Sequence, residues 1–180
     1  MKKTAWIALI LIFAMALCAC GGNDAPGAGG SSTPTATVSG TNPSDTPLGY
    51  SFTYNNVTFG VGMDAAPVLE ALGETKSRVV SASCAFGGND IVYDYQSVKI
   101  STNDETGNEM IYCIELVDDQ AQTQKNLKIG AAADAVTAAY GDATKTNAGG
   151  LIYEKDGMEL RFLLKNGKVS SIQYLLSIAA

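Results

Sequence analysis

The chain has 180 residues, with 12 Lys and Arg against 18 Asp and Glu, four cysteines and no histidine. Its formal charge of −6 argues against nucleic acid as a partner, because phosphate backbones are held by clustered cations. The missing histidine excludes Ser-His-Asp and Cys-His catalysis within the chain and removes the commonest zinc ligand.

Met1, Lys2 and Lys3 form a short basic start, and residues 5–17 (AWIALILIFAMAL) are uncharged and mostly aliphatic. That run has the length of a signal-peptide core, about 7–15 residues, and falls short of the roughly 20 needed to span a bilayer. A transmembrane anchor is the alternative, but flexible residues follow at once and no basic stop-transfer cluster does. The run closes on Leu17-Cys18-Ala19-Cys20-Gly21-Gly22. This resembles the bacterial lipobox, which implies removal of residues 1–19, a diacylglycerol on Cys20 and anchorage to the extracytoplasmic face of a membrane. At least two acyl chains give lasting attachment. The mature chain then carries 10 Lys and Arg against 18 Asp and Glu, a net −8.

Residues 20–49 read as the lipidated cysteine and a tether. Four of the five prolines and seven glycines lie in 21–49, where Asp24 and Asp45 are the only charges. So little apolar surface cannot offset the entropy of ordering.

Residues 50–180 read as one folded domain of α+β class. Val61-Gly62 precedes Val68, Leu72 and Gly73, and Ile129-Gly130 precedes Val136, Tyr140 and Gly141, with a Gly-to-Gly spacing of eleven both times. Each i,i+4 apolar pair predicts a short helix closed by a C-terminal glycine. Asp64 is a ready N-cap for the first helix. Ala131, Ala132 and Ala133 offer the second none, which predicts a frayed start. A strand is expected around 50–59. Alternation predicts strands over 91–95, 97–102 and 110–117 after the first helix, and over 151–155, 159–164 and 169–175 after the second. Turns are expected at 103–108, at Lys155-Asp156-Gly157 and at Asn166-Gly167. The expected architecture is two tandem helix-plus-three-strand repeats, 50–119 and 125–180, sharing an antiparallel sheet with the helices on one face.

The Gly-spaced segments, each followed by Tyr-containing strands, resemble the β-lactamase-inhibitor-protein-like fold found in single copy in SmpA/OmlA outer-membrane lipoproteins. Ser83-Cys84-Ala85-Phe86-Gly87-Gly88, Val92-Tyr93-Asp94-Tyr95, Ile100-Ser101-Thr102 and Leu116-Val117-Asp118-Asp119 are similar to patterns in a group of Gram-positive lipoproteins. The resemblance spans roughly residues 57–176 and implies no catalytic residue.

Once Cys18 is cleaved off and Cys20 is lipidated, Cys84 and Cys113 remain. An extracytoplasmic setting permits a disulfide between them, with two free thiols as the alternative. Asp118 and Asp119 offer hard oxygen ligands for calcium together with Asn103, Asp104, Glu105 and Glu109, against the reading of ordinary solvated turns. No metal or cofactor is expected. Tyr93, Tyr95, Tyr112 and Tyr153, with Tyr174, are candidates for a binding surface, against ordinary strand packing. These features predict a non-catalytic module that contacts a protein or cell-wall ligand through its sheet. A hydrolase built on paired carboxylates and a structural spacer are the alternatives.

Overall fold

A computed structural model describes residues 44–147 and 149–177. The signal segment, Cys18, Cys20 and the tether up to residue 43 lie outside the described residues. Twelve elements follow one another along the described chain. A hairpin of β1 (Phe52–Tyr54) and β2 (Val57–Phe59) leads into α1 (Ala65–Leu72). Four strands come next: β3 (Ser77–Ala82), β4 (Asn89–Asp94), β5 (Val98–Asn103) and β6 (Met110–Leu116). Helix α2 (Ala133–Tyr140) is followed by β7 (Lys145–Asn147), β8 (Gly150–Lys155), β9 (Met158–Lys165) and β10 (Lys168–Leu176).

The strands form one antiparallel eight-stranded sheet in the order β3-β4-β5-β6-β10-β9-β8-β7, and β1 pairs with β2 in a separate small sheet. The expectation of two helix-plus-three-strand repeats is therefore corrected. The described residues are mostly β, with two helices of eight residues each beside a single broad sheet. Four strands follow each helix, because β3 and β7 join the six that were expected. The segment 50–59 does not extend the main sheet; Asn55 and Asn56, both at positive φ, fold it back on itself as a tight hairpin.

Asp64 caps α1 by accepting the Ala66 N–H at 2.9 Å, and Gly73, at φ 75°, closes it by donating to Leu69 O at 3.0 Å. Helix α2 has no side-chain cap. Its first turn is instead held by the β9–β10 turn, since Ala133 N–H donates to Gly167 O at 3.0 Å and Val169 N–H to Ala131 O at 2.8 Å. Helix α1 is docked in a similar way by Ala65 N–H on Glu109 O at 2.8 Å. Residues 44–49, read from sequence as the end of the tether, belong to the folded domain: Ser44 N–H donates to Gly62 O at 2.9 Å and Leu48 N–H to Val61 O at 3.0 Å.

The core lies on one face of the sheet. Phe52 and Phe59 of the hairpin, Ala65 and Val68 of α1, and Val136 of α2 share one cluster with Ile91, Ile100, Ile114, Ile172, Leu160 and Phe162. Phe52 meets Tyr174 at 5.5 Å between ring centroids, and Tyr140 of α2 meets Phe162 at 5.4 Å. The seam between the two four-strand halves is β6–β10, with Ile114 opposite Tyr174 and Leu116 opposite Ile172. Among the described residues no helix is long and apolar enough to cross a membrane.

Candidate functional site

The opposite face of the sheet has no helix or hairpin of the described chain packed on it. Period-2 alternation sends every second side chain there. Strand register aligns these side chains into a row crossing all eight strands: Ser77, Asp94, Lys99, Glu115, Gln173, Arg161, Ile152 and Lys145. Asp94, Lys99, Glu115, Gln173 and Arg161 are half-buried, as expected of side chains covered by lateral neighbours but not from above. Gln173 donates to Glu115 at 3.3 Å, and Arg161 donates to Glu159 at 2.5 Å. A second row runs from Val79 through Val92, Ser101 and Cys113 to Leu175. The face thus mixes both signs of charge with a few aliphatic side chains, among them the cross-strand pair Val79 and Val92.

One corner carries an aromatic pair, Phe86 against half-buried Tyr112 at 5.1 Å between centroids. The loop 83–88 that supplies Phe86 is fastened from within. Ser83 Oγ accepts the Phe86 N–H at 3.0 Å, and Asn103 Nδ2 reaches Gly87 O at 3.0 Å, Asn89 O at 3.1 Å and Asp90 Oδ1 at 3.0 Å. Asp104 accepts Asn89 N–H at 2.6 Å and Asn89 Nδ2 at 3.0 Å. Those hydrogen bonds hold the Asp104 carboxyl below its ordinary range. The glycines are needed here: Gly88 has φ +68°, and a Cβ on it would lie 2.4 Å from Asp104 Oδ1.

A second feature lies at the N-terminus of α1. A cleft of about 350 Å³ is lined by Asp64, Ala66, Leu69, Tyr93, Asn108 and Glu109. Glu109 accepts from the Tyr93 hydroxyl and from Thr102 Oγ1, both at 2.7 Å, while Arg78 Nε donates to Tyr93 Oη at 3.2 Å. The guanidinium lies 3.6 Å from Glu109 and 5.5 Å from the Tyr93 ring centre. Burial raises the Tyr93 phenol above its usual pKa. Glu109, Tyr93, Thr102 and Arg78 thus form one hydrogen-bonded network along the cleft.

The sequence-predicted residues scatter. Of the tyrosines offered as a surface, Tyr95 and Tyr153 are buried core residues on the helix-covered face, and the Tyr93 ring is buried with only its hydroxyl at the cleft. This corrects the surface reading for those three, since they share strand parity with core neighbours. Tyr174 is also fully buried. Tyr112 alone belongs to the open face. Of the two alternatives for Cys84 and Cys113, a bridge or two thiols, the structure has both as free thiols. Cys84 is exposed in the 83–88 loop, and Cys113 sits mid-sheet between Ser101 and Leu175. Burial pushes the Cys113 thiol up to about 12. The calcium grouping is split as well. Asp118 follows the end of β6, bonded to Ser97 Oγ at 3.0 Å, whereas Asn103–Glu109 turn at its start. The residues missed from sequence are those of the cross-strand row, whose signal was the placing of Asp94, Lys99, Glu115 and Gln173 at every second position between apolar neighbours.

No family model, no curated protein and no solved structure matches the chain.

Proposed function

We propose that the chain is a non-catalytic binding or assembly module, lipid-anchored through Cys20 on the extracytoplasmic face of a membrane, that engages a protein or cell-wall partner across the open face of its eight-stranded sheet. The observation that carries this reading is one-sidedness: helices and hairpin cover one face, while the other keeps a half-exposed row from Ser77 to Lys145 and the Phe86–Tyr112 corner. A sheet face with alternating charges and a few aliphatic side chains suits polar, hydrated recognition, which is the make-up of non-obligate interfaces. Carboxylates on it are matched by Lys99, Arg161 and Lys145, so register between partners would be set by charge complementarity.

Photo-crosslinking in intact cells tests the reading. A photo-reactive residue replaces Val92, Ser101 or Gln173 on the open face, or the exposed Glu70 or Thr137 on the helices. Adducts confined to the first three positions, and lost in a Lys99→Glu/Arg161→Glu variant, are expected. Equal labelling of both faces, or none on the sheet, would refute it.

A further inference from the structure

The two edges of the sheet differ. Strand β7 is three residues long and includes Lys145, a short and charged edge of the kind that resists pairing. Strand β3 is six residues, Ser77–Ala82, with every side chain exposed. It runs against β4 without a register shift, contains no proline, and has one charged residue, Arg78. Val79 is 59% and Val80 48% exposed.

Which backbone groups face outward follows from one bond. Ser83 N–H donates to Gly88 O at 3.1 Å, and these two residues continue the β3–β4 register. Hydrogen-bonded and non-bonded pairs alternate along an antiparallel ladder. Odd-numbered residues of β3 therefore bond to β4, and Arg78, Val80 and Ala82 direct their N–H and C=O groups away from the sheet.

We infer that β3 pairs antiparallel with β3 of a second copy of this chain, in the register centred on Val80. That register is the one two-fold arrangement that uses all three outward residues, setting Val80 against Val80 and Arg78 against Ala82. Centring on Val79 or Ser81 uses two of the three, and centring on Arg78 opposes like charges, which costs stability. Charge distribution favours the same arrangement. Lys76 and Arg78 mark one end of the edge, where the Arg78 guanidinium also lies 3.6 Å from Glu109 and Asp94 is the β4 partner of Ser77. Asp104 and Glu105 stand near the other, where Asp104 binds Asn89, the β4 partner of Ala82, and the Glu105 side chain lies over Gly87. Antiparallel pairing brings the basic end of each copy to the acidic end of its mate, with small Ala82 leaving room for the half-exposed Arg78 guanidinium. The edge is a different surface from the open face, so this inference stands apart from the proposed partner there.

The test uses the full chain in excess detergent, carrying Cys18→Ser, Cys20→Ser, Cys84→Ser and Cys113→Ser, so that single cysteines can be placed at Ser77, Val79, Val80 or Ser81 in turn. Mild oxidation is expected to give a covalent dimer most readily through Val80→Cys. Sedimentation of the parent chain should show a dimer that grows with concentration and recedes as salt screens the basic-to-acidic contacts. Val80→Lys should sediment as a monomer with an unchanged melting temperature, whereas chance sharing of a micelle would survive that change. Absence of any self-adduct, a strongest adduct away from Val80, or a dimer that persists in Val80→Lys would overturn the inference.

Discussion

Asn103 is 4% exposed, yet its amide fastens the 83–88 loop to the sheet by reaching Gly87 O, Asn89 O and Asp90 Oδ1. Removing it deletes three part-buried hydrogen bonds, so Asn103→Ala should lower stability by about 1–3 kcal/mol in urea unfolding. Asp104 tethers the same loop, and the pH dependence follows from the direction of its shift. A carboxyl held below its ordinary value stabilises above that value and loses the contribution as pH falls through the lower folded one. Asp104→Asn should therefore speed amide exchange in residues 83–88 at neutral pH, with the gap to the parent closing in acid. Cys113 runs the other way. Its thiol is raised to about 12 by burial, so folding favours the protonated form, and this contribution falls as pH rises from the ordinary thiol value toward 12. An alkylating reagent at pH 8 should modify exposed Cys84 and spare Cys113 until the chain is unfolded. The tyrosines show what one residue type can and cannot reveal. Tyr93 and Tyr95 share parity with Ile91, and Tyr174 with Ile172, which placed them on the apolar face by period 2; aromatic identity alone fits either face.

At the scale of elements, the two helices test capping. Asp64→Ala should cost about 1 kcal/mol by removing the side-chain acceptor for Ala66 N–H. Ala132 occupies the corresponding place in α2 with no side-chain bond. Ala132→Asp should raise the thermal midpoint, and a fall would mean that the turn at Gly167 already fills the capping space. Strands with one buried face were legible from sequence, because alternation and turns such as Asn166-Gly167, at φ 54° and 73°, mark them twice over. Strand β3 was not legible: all six of its side chains are exposed, so no alternation is imposed on it. Strand β7 is too short to show a period. The start of α2, expected to fray, is docked by a backbone carbonyl more than thirty residues further along the chain, which no local pattern can announce.

At the scale of the whole sheet, the β6–β10 seam joins the two four-strand halves. Ile114 is fully buried and faces Ile100 on one side and Tyr174 on the other. Ile114→Ala should cost about 2–5 kcal/mol. Since one core cluster runs through both halves, the loss should appear as faster hydrogen exchange in β4–β5 and β8–β9 alike. Exchange raised in only one half would mean that the halves open separately. The unlike edges also set a limit on growth. An eight-stranded sheet that can be extended at β3 and is blunted at β7 has one valence, so pairing at β3 uses up the extendable edge of that sheet. Pairing through β3 alone would give a closed couple of sheets that cannot propagate into a fibre through this sheet, and the couple would set two open faces side by side.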